Sequence, residues 1–439
     1  MRQNLGDGQM NYEEAVQFHE KAKEYGSILG LTNIRNLMHE LGDIWKELKI
    51  VHIAGTNGKG SVSCFLASVL KEAGYRVGQY NSPAVFDPLE VYQINREKIS
   101  QEAYAACMQE VAKACMSLEQ QGKPHPTVFE VDTAAAFLWF YKQKCDIVLL
   151  ETGMGGSTDA TNLIEEPLCS VFVSISMDHM SFLGDTLEKI AEVKSGIIKY
   201  KCPVVTADQK IKVMQVLQKR ATEMQTEIRQ VQDRTHIRME DGRLCYEYPA
   251  SGTVRLSMTG SYQVENSAVA IETIRVLREQ GYHITEEQLL NGLFMAHWQG
   301  RFECLQKDPL FYVDGAHNED AAIKLKETLT TNFPDQKLIG IMGVMADKAY
   351  PAMLRHLLPL FEKIYTVTPE NDRALSAEQL AREIRIQGKD AIAEQSVGQA
   401  VRDACKDALE ESGQAVVIAF GSLYYLGEVR CALYESMDR

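Results

Sequence analysis

The sequence predicts an α/β protein of two successive domains, each built on a parallel-rich sheet that helices cover. Short apolar runs alternate with longer helical runs along the 439 residues, which is the pattern of repeated βαβ units. Two of these runs, CDIVLLE (145–151) and CSVFVSIS (169–176), are almost continuously apolar, as expected of strands buried on both faces. The alternation starts again near Leu310, after the aperiodic stretch HWQGRFE (297–303). We therefore predict a first domain at 1–296, a linker at 297–303 and a smaller α/β domain at 304–439.

The first series opens with a strand, a loop and a helix. KIVHIAG (49–55) is a short apolar run that ends in glycine, and the helix predicted at 61–73 carries its apolar residues on one face. Gly74 follows this helix and is predicted to end it in the left-handed conformation that glycine adopts easily. Later in the domain, 238–248 is predicted to form a hairpin that turns at Asp241-Gly242.

The second series has four predicted strands with helices between them. The strands are FYVDGAHN, KLIGIMGV, KIYTVT and AVVIAFGS, and the helices include 319–331 and 377–387.

Composition excludes several classes of protein. The formal net charge of −14 disfavours binding to duplex nucleic acid, which needs a basic face. No run approaches the ~20 apolar residues of a membrane span, and the polar start MRQNLGDGQMNYEEA does not resemble a secretory signal. The ten cysteines are scattered singly without a CxxC pair, so we expect reduced thiols in a cytoplasmic protein.

A glycine-rich loop lies between the first strand and its helix. It reads Gly55, Thr56, Asn57, Gly58, Lys59, Gly60 and Ser61. Glycines let backbone N–H groups approach phosphate, the helix N-terminus adds a positive dipole end, and Lys59 can reach the outer phosphates. The alternative is a glycine-rich turn with a solvated lysine. The register of strand, loop and helix favours a P-loop mononucleotide-binding domain.

Further motifs follow this loop in a fixed order. They are SP (82–83), TVFEVDTAAAF (127–137), ETGMGGSTDATN (151–162), MDHMSFLGDTLEKIAEVKSGIIK (177–199), GSYQVENSAVA (260–270), GRFE (300–303), DGAHN (314–318), RALSAEQLA (373–381) and GSLYYLGEVR (421–430). Together with GTNGKGS, the set resembles the folylpolyglutamate synthase and dihydrofolate synthase family of the Mur ligase superfamily. The resemblance covers most of the chain and implies a Rossmann-like second domain.

The resemblance implies an ATP- and Mg²⁺-dependent amide ligase. Such an enzyme adds L-glutamate to a folate carboxylate through an acyl phosphate and releases ADP and phosphate. The resemblance also implies a monomer. Phosphoryl transfer of this kind needs a phosphate cradle and magnesium. Whether dihydropteroate is also an acceptor stays open at this point.

The resemblance assigns one magnesium ion to Ser82, Glu151 and His179. Residue reasoning agrees in part, because Glu151 ends a buried strand at the sheet edge where α/β folds bind ligands. The alternatives are an edge-exposed carboxylate and a structural histidine.

The remaining site residues are also implied by the resemblance. Lys194, in VKSG, would be carbamylated and help to hold a second magnesium ion; the alternative is a surface lysine on an amphipathic helix. Lys59, Lys194 and His317 would be catalytic. Nucleotide contacts would come from Gln263, Asn266, Arg301, Asp314 and His317, although a hinge salt bridge at Arg301 and an Asx turn at Asp314 are alternatives.

The sequence departs from the family pattern at several positions. Ala84 and Val91 stand where a histidine and an arginine are usual, Ser157 replaces an arginine, and Ala349 replaces an aspartate. The first three lie near the expected folate site, so substrate choice is the property they put in question. The competing interpretations are a Mur-type ligase for a different carboxylate and a nucleotide-binding regulator that has lost catalysis.

Overall fold

The computed structural model describes residues 9–26, 30–410 and 415–437. Contacts divide the chain into two compact units. One is Met1–Asp233 with Tyr248–Ser251 and Glu265–Met295, and the other is Arg234–Glu247 with Gly252–Val264 and Ala296–Arg439. The domain division with a linker at 297–303 stays a prediction. Residues 1–8, where part of the predicted signal-free N-terminus falls, lie outside the described residues.

Helices and strands alternate along most of the chain. The helices are α1 (Tyr12–Ala22), α2 (Thr32–Glu40), α3 (Lys59–Glu72), α4 (Gln101–Gln120), α5 (Val128–Lys142), α6 (Met180–Leu183), α7 (Leu187–Ser195), α8 (Ile211–Glu223), α9 (Gln263–Glu279), α10 (Glu286–Met295), α11 (Glu319–Asn332), α12 (Tyr350–Leu357), α13 (Ala377–Ile386), α14 (Val397–Glu410) and α15 (Leu426–Met437). The strands are β1 (Ile50–Ala54), β2 (Val77–Tyr80), β3 (Tyr92–Ile94), β4 (Glu97–Lys98), β5 (Ile147–Glu151), β6 (Cys169–Phe172), β7 (Val204–Thr206), β8 (Ile228–Gln230), β9 (Thr235–Glu240), β10 (Arg243–Tyr248), β11 (Gly252–Leu256), β12 (Glu303–Lys307), β13 (Leu310–Val313), β14 (Lys337–Met342), β15 (Phe361–Thr366), β16 (Asp390–Ala393) and β17 (Ala415–Phe420).

The first unit is built on an eight-stranded sheet with the order β4-β3-β2-β5-β1-β6-β7-β8. The six strands from β2 to β8 in this order run parallel, whereas β3 and β4 add an antiparallel edge. β1, β2, β5 and β6 are buried along their whole length, and for β5 and β6 this confirms what their almost continuous apolar runs predict. In this strand order β1 lies between β5 and β6. Because β1 and β5 are parallel, the loops that leave them emerge at the same edge of the sheet.

Local sequence fixes where the helices around this sheet begin. Asn11 caps α1 and Thr127 caps α5, each in a capping box with a glutamate three residues later. Close packing also needs small residues, because a Cβ at Gly292 of α10 would overlap the backbone of Val69 in α3. Small residues at such crossings let two helices approach closely.

The second unit is built on a six-stranded sheet with the order β12-β13-β17-β14-β15-β16. All neighbours are parallel except β12, which pairs antiparallel with β13. Its core packs Phe361 and Phe420, whose rings stack with centroids 5.1 Å apart, against leucines of α11, α12 and α13. A separate three-stranded sheet has the order β11-β10-β9.

The predicted α/β class and the parallel-rich first sheet are confirmed. The predicted helices 61–73, 319–331 and 377–387 correspond to α3, α11 and α13, and the predicted hairpin is β9–β10, with Asp241 and Gly242 at φ of 50° and 70°. All ten cysteines lie in the described part of the chain, and each is a free thiol. Among the described residues, no helix is long and apolar enough to cross a membrane.

Candidate functional site

The loop from Gly55 to Ser61 connects β1 directly to α3, whose first residue is Lys59. Gly55 and Gly58 have φ of 147° and 102°, a region that side chains rarely adopt. A Cβ at Gly55 would overlap the side chain of Val173, and one at Gly58 would overlap the side-chain oxygen of Asn266. Both positions therefore require glycine for the backbone conformation and for space.

The loop is tied to the chain that leaves β6. Thr56 donates its backbone N–H to the Ser174 carbonyl at 2.7 Å. The Thr56 hydroxyl accepts a bond from the Ser176 amide at 3.0 Å and donates to the Ser176 carbonyl at 3.1 Å. The conformation of the loop is thus fixed by hydrogen bonds within the protein, and the first turn of α3 follows the loop directly.

Lys59 and Glu151 face each other across the loop. The Lys59 Nζ lies 3.6 Å from Glu151 Oε1, and it donates long bonds to the Gly55 and Thr56 carbonyls at 3.4 and 3.3 Å. Glu151 is the last residue of β5 and is buried. The lysine of α3 and the carboxylate of β5 meet because β1 and β5 are adjacent parallel strands.

Asn81 fixes the orientation of the Glu151 carboxylate. It follows β2, the neighbour of β5, and donates its side-chain N–H to Glu151 Oε2 at 2.6 Å. The Ser63 hydroxyl of α3 in turn donates to Asn81 Oδ1 at 3.3 Å. Sequence reasoning missed Asn81, although a polar residue directly before the SP motif was a usable signal.

Lys194 is a buried lysine on α7 that reaches the same loop. Its Nζ donates to the Gly55 carbonyl at 2.7 Å. Burial and, as a smaller effect, the charge of Lys59 together lower the pKa of Lys194 to about 7, against the opposing effect of Asp178, Asp159 and Glu151. The predicted alternative of a surface lysine is wrong, since Lys194 is among the buried residues.

The ETGMGGSTDATN segment packs against the end of α7. Ser157 donates its N–H to the Val193 carbonyl at 2.8 Å, and Asn162 donates to the Gly196 carbonyl at 3.3 Å. Gly156 and Gly196 allow this contact, because a Cβ at either one would overlap the opposing chain. Ser157, one of the departures from the family pattern, therefore contacts the end of the helix that carries Lys194.

Ser82 and His179 occupy loops of the first unit. Ser82 is half-buried directly after Asn81, and His179 is exposed, with φ of 50°, at the start of α6. The His179 amide donates to Asp178 Oδ1 at 2.8 Å. Within the described ranges, no three histidine, cysteine, aspartate or glutamate side chains are grouped as a metal site. The structure brings together Lys59, Glu151 and Lys194; the ligand roles of Ser82 and His179 stay a prediction.

In the second unit, Asp314 is buried after β13 and accepts three hydrogen bonds. They come from Tyr262 Oη at 2.6 Å, the Phe302 amide at 2.9 Å and the Ala316 amide at 2.8 Å. Burial raises the pKa of the Asp314 carboxyl, against the opposing effect of these bonds and of Arg301. The bond to Ala316 is the Asx turn weighed as an alternative for this residue. Tyr262, within GSYQVENSAVA, is a further residue that sequence reasoning missed.

The other predicted nucleotide contacts are also ordered by internal bonds. Arg301 donates to the Gly300 carbonyl at 3.2 Å, and His317 Nδ1 lies 2.8 Å from the Gly315 carbonyl. Gln263 is buried and contacts Met258 Sδ at 3.7 Å, while Asn266 of the first unit lies beside Gly58. Glu303 accepts bonds on both carboxylate oxygens from Arg430 at 3.0 Å, and the alternative of a hinge salt bridge for Arg301 stays a prediction.

Comparison with known proteins decides the family. Residues 53–274 match the Mur ligase middle domain, and residues 300–423 match the Mur ligase glutamate ligase domain. A dihydrofolate synthase/folylpolyglutamate synthase of Bacillus subtilis is 34% identical over 95% of this chain and 98% of its own length. The chain belongs to the folylpolyglutamate and dihydrofolate synthase family of Mur ligases.

Solved members of the family share the fold. Mycobacterium tuberculosis folylpolyglutamate synthase, in complex with ADP and AMPPCP, matches with a TM-score of 0.86 at 26% identity, over 97% of this chain and 99% of the other. An FPGS complex with AMPPCP and folate matches with a TM-score of 0.82 at 29% identity, over 97% of this chain and 100% of the other. The family resemblance predicted from the motifs is thus confirmed, and it extends over nearly the whole chain.

Proposed function

We propose that this chain is an ATP-dependent ligase that joins L-glutamate to a carboxylate of tetrahydrofolate, with release of ADP and phosphate. The observation that carries the proposal is the placement of Lys59 at the start of α3, 3.6 Å from the buried Glu151 carboxylate and beside the carbonyl that Lys194 binds. This arrangement suits the transfer of a phosphoryl group. Folate enters the proposal from the relatives, which include an FPGS complex with AMPPCP and folate.

The loop and Lys59 would bind and orient the outer phosphates of ATP. Backbone N–H groups at the start of α3 and the positive end of its dipole favour an anion. Lys59 Nζ would exchange its two long bonds to loop carbonyls for shorter, charge-assisted bonds to phosphate oxygens. Most of the catalysis would then be positioning and charge neutralisation.

The chemistry couples two substitutions. A carboxylate oxygen of the acceptor attacks the γ-phosphorus of ATP, and ADP leaves, which gives an acyl phosphate. The amine of L-glutamate then attacks the acyl carbon, loses a proton and expels phosphate. The acceptor oxygen leaves with the phosphate, so one oxygen of the product phosphate comes from the carboxylate.

We assign one magnesium ion to Glu151, Ser82 and His179, whose donor atoms suit this ion. Glu151 supplies a carboxylate, Ser82 a hydroxyl and His179 an imidazole, and Mg²⁺ usually takes one or two carboxylates together with substrate phosphates and water. The neighbouring Thr152 Oγ1 is buried and has no hydrogen-bond partner among the described residues, so a polar ligand beside Glu151 would satisfy it. When bound, Mg²⁺ would neutralise charge on the phosphates. Asn81 would hold the Glu151 carboxylate in one orientation for this purpose.

Lys194 would act as a carbamate. A pKa of about 7 leaves much of the amine neutral near neutral pH, and the neutral amine is the form that adds CO₂. The product has a negative charge and would help to hold a second Mg²⁺ beside the loop. Intact-mass analysis in bicarbonate should show this addition on wild-type protein and not on Lys194→Met.

The resemblance also implies nucleotide contacts. We assign them to Gln263, Asn266, Arg301, Asp314 and His317, with His317 as a further catalytic residue. Asp314 already accepts three internal bonds, so its nucleotide contact would use the acceptor capacity that its carboxylate has left. The acting unit would be a cytoplasmic monomer.

Dihydropteroate is the second acceptor that a relative supports, since the Bacillus subtilis protein is a dihydrofolate synthase/folylpolyglutamate synthase. The test is phosphate release with ATP, Mg²⁺ and L-glutamate, with tetrahydrofolate, dihydropteroate or no acceptor. Stimulation by tetrahydrofolate with a glutamylated product supports the main proposal, and stimulation by dihydropteroate adds the second activity. If neither acid stimulates turnover, the departures at Ala84, Val91 and Ser157 have moved the ligase to a different carboxylate.

A further inference from the structure

His52 is a fully buried imidazole in the middle of β1, three residues before the phosphate loop. Its Nε2 lies 2.9 Å from Thr161 Oγ1, in the ETGMGGSTDATN segment. Its other ring nitrogen, Nδ1, has no hydrogen-bond partner among the described residues. Burying a ring nitrogen without a hydrogen bond costs free energy, so the presence of a histidine at this position needs an explanation.

The direction of that bond follows from the next one. The Thr161 hydroxyl has one proton, and it donates this proton to Asp159 Oδ1 at 2.5 Å. Thr161 Oγ1 must therefore accept from His52, which requires a proton on His52 Nε2. Burial, with a smaller effect from Lys199, lowers the pKa of His52 to about 3, so the ring is neutral and Nδ1 carries no proton. Only one tautomer of His52 fits this chain of bonds.

The chain of bonds continues to the backbone that follows Glu151. Asp159 Oδ2 accepts the amide of Met154 at 2.8 Å, and Oδ1 also accepts the amide of Thr161 at 3.0 Å. Asp159 thus ties the two ends of the 153–162 segment together, so that this segment forms one ordered loop. This is the segment whose Ser157 amide bonds the end of α7 at 2.8 Å.

We propose that His52 is a positioning residue for the ligase reaction, which holds the 153–162 loop in place through Thr161 and Asp159. The expected effect of His52 on the reaction rate rests on the proposed function. The ordering of the 153–162 loop by His52, Thr161 and Asp159 does not depend on that function. By fixing the loop from the centre of the sheet, His52 sets where the Glu151 carboxylate and the Lys194 side chain stand. No atom of His52 would contact substrate.

Two pairs of variants test the proposal. His52→Leu removes the donor at similar volume, whereas His52→Gln keeps an N–H near the position of Nε2. Thr161→Val removes the hydroxyl without changing shape, and Thr161→Ser keeps it. Thr273→Val is the matched control, since it removes a buried hydroxyl of α9 that donates to the Val269 carbonyl of its own helix at 2.8 Å.

Two readouts separate positioning from simple stability. We expect His52→Leu and Thr161→Val each to lower kcat by on the order of 10- to 100-fold, as outer partners of ligating groups do, with KM for the folate acceptor unchanged. Hydrogen exchange of 153–162 in the protein without substrates should become faster in both. His52→Gln and Thr161→Ser should recover both properties to within a few-fold, and the double variant His52→Leu/Thr161→Val should lose no more than the worse single one.

The contradicting results are distinct. If kcat stays at the wild-type value in His52→Leu or Thr161→Val while exchange rises, the histidine is structural only and the inference is wrong. Additive losses in the double variant, or no recovery in His52→Gln, would equally overturn it. If wild-type protein makes no glutamylated product, the proposed function fails, and the exchange data still decide whether His52 orders the loop.

Discussion

At the scale of single residues, three side chains define the candidate site. Lys59, Glu151 and Lys194 come from α3, β5 and α7, and all three are within hydrogen-bond or ion-pair reach of the Gly55 loop or of one another. The bonds of Lys59 to the loop carbonyls, at 3.4 and 3.3 Å, are longer than good hydrogen bonds. Replacing them with bonds to phosphate oxygens therefore costs little.

Lys59→Met should lower kcat by on the order of 10³-fold, because one preorganised charge at the transferred phosphoryl group is lost. Steady-state phosphate release in the presence of acceptor and glutamate measures this. Lys71→Met is the control, since Lys71 is exposed in the last turn of the same helix. Activity of Lys59→Met close to that of Lys71→Met would remove the loop from the phosphate site.

Lys194 should make stability depend on pH in a definite direction. Its pKa is about 7 in the folded protein and near the ordinary 10.5 when unfolded, so between these values the unfolded chain binds the extra proton. The free energy of unfolding contributed by this residue therefore rises with pH from about 7 to 10.5 and is constant below about 7.

The measurement is urea unfolding of wild-type protein and Lys194→Met across this pH range in CO₂-free buffer. We expect the difference in free energy of unfolding, wild type minus variant, to increase with pH. A difference that stays flat or falls would mean that the lysine is charged in its buried site.

At the scale of elements, the strand-loop-helix unit of β1 and α3 depends on two glycines with different surroundings. Gly58 has φ of 102° and would place a Cβ on Asn266, whereas Gly74, after the same helix, has φ of 87° with open space around it. Backbone strain acts at both positions, but steric overlap acts at Gly58 alone. The pair can therefore separate the two effects.

Gly74→Ala should cost about 1–2 kcal/mol of stability from backbone strain, with kcat unchanged. Gly58→Ala should cost more stability and also weaken nucleotide binding, since Asn266 or the loop must move. Calorimetric titration with AMPPCP and thermal unfolding of both variants measure these effects. Equal nucleotide affinity in the two variants would contradict the close fit of the loop to Asn266.

The turn after β13 in the second unit depends on the carboxylate of Asp314. An amide at this position has only one acceptor oxygen for the donors Tyr262, Phe302 and Ala316, so Asp314→Asn leaves a buried donor unpaired. We expect a loss of about 1–3 kcal/mol in the free energy of unfolding. Urea titration should show no comparable loss in Asp335→Asn, an exposed position of the same unit. Equal stability of the two variants would mean that the bonds to Asp314 contribute nothing.

At the scale of the whole molecule, the strands and helices that carry the site were predictable from local sequence. The continuous apolar runs identify β5 and β6 as buried strands, and the helical spacing of the large apolar residues identifies α3, although the structure buries α3 on nearly all sides. α5 was missed as a helix because VFEVDTAAAFLWFYK is apolar on nearly all sides, so no face stands out. The short antiparallel strands β3 and β4 have three and two residues, too few for a period to show.

Contacts between distant segments could not be read in the same way. The bond of Asn81 to Glu151 exists because β2 lies next to β5, and strand order is not written in either strand. Lys194 reaches Gly55 across 139 positions of sequence, and nothing near it indicates burial. The glycine-rich loop placed Lys59 in the site directly, whereas Lys194 was placed there only through resemblance to the family, and geometry supplies the physical reason.

The proposed reaction requires that this chain activates a folate carboxylate by phosphorylation before glutamate attacks. The most direct test uses tetrahydrofolate labelled with oxygen-18 in its reacting carboxylate, with ATP, Mg²⁺ and L-glutamate, and mass spectrometry of the phosphate and the folate product. An acyl-phosphate intermediate would give a glutamylated folate and released phosphate that carries one labelled oxygen. Glutamylated product with unlabelled phosphate would contradict the acyl-phosphate route, and the absence of glutamylated product would contradict the ligase assignment itself.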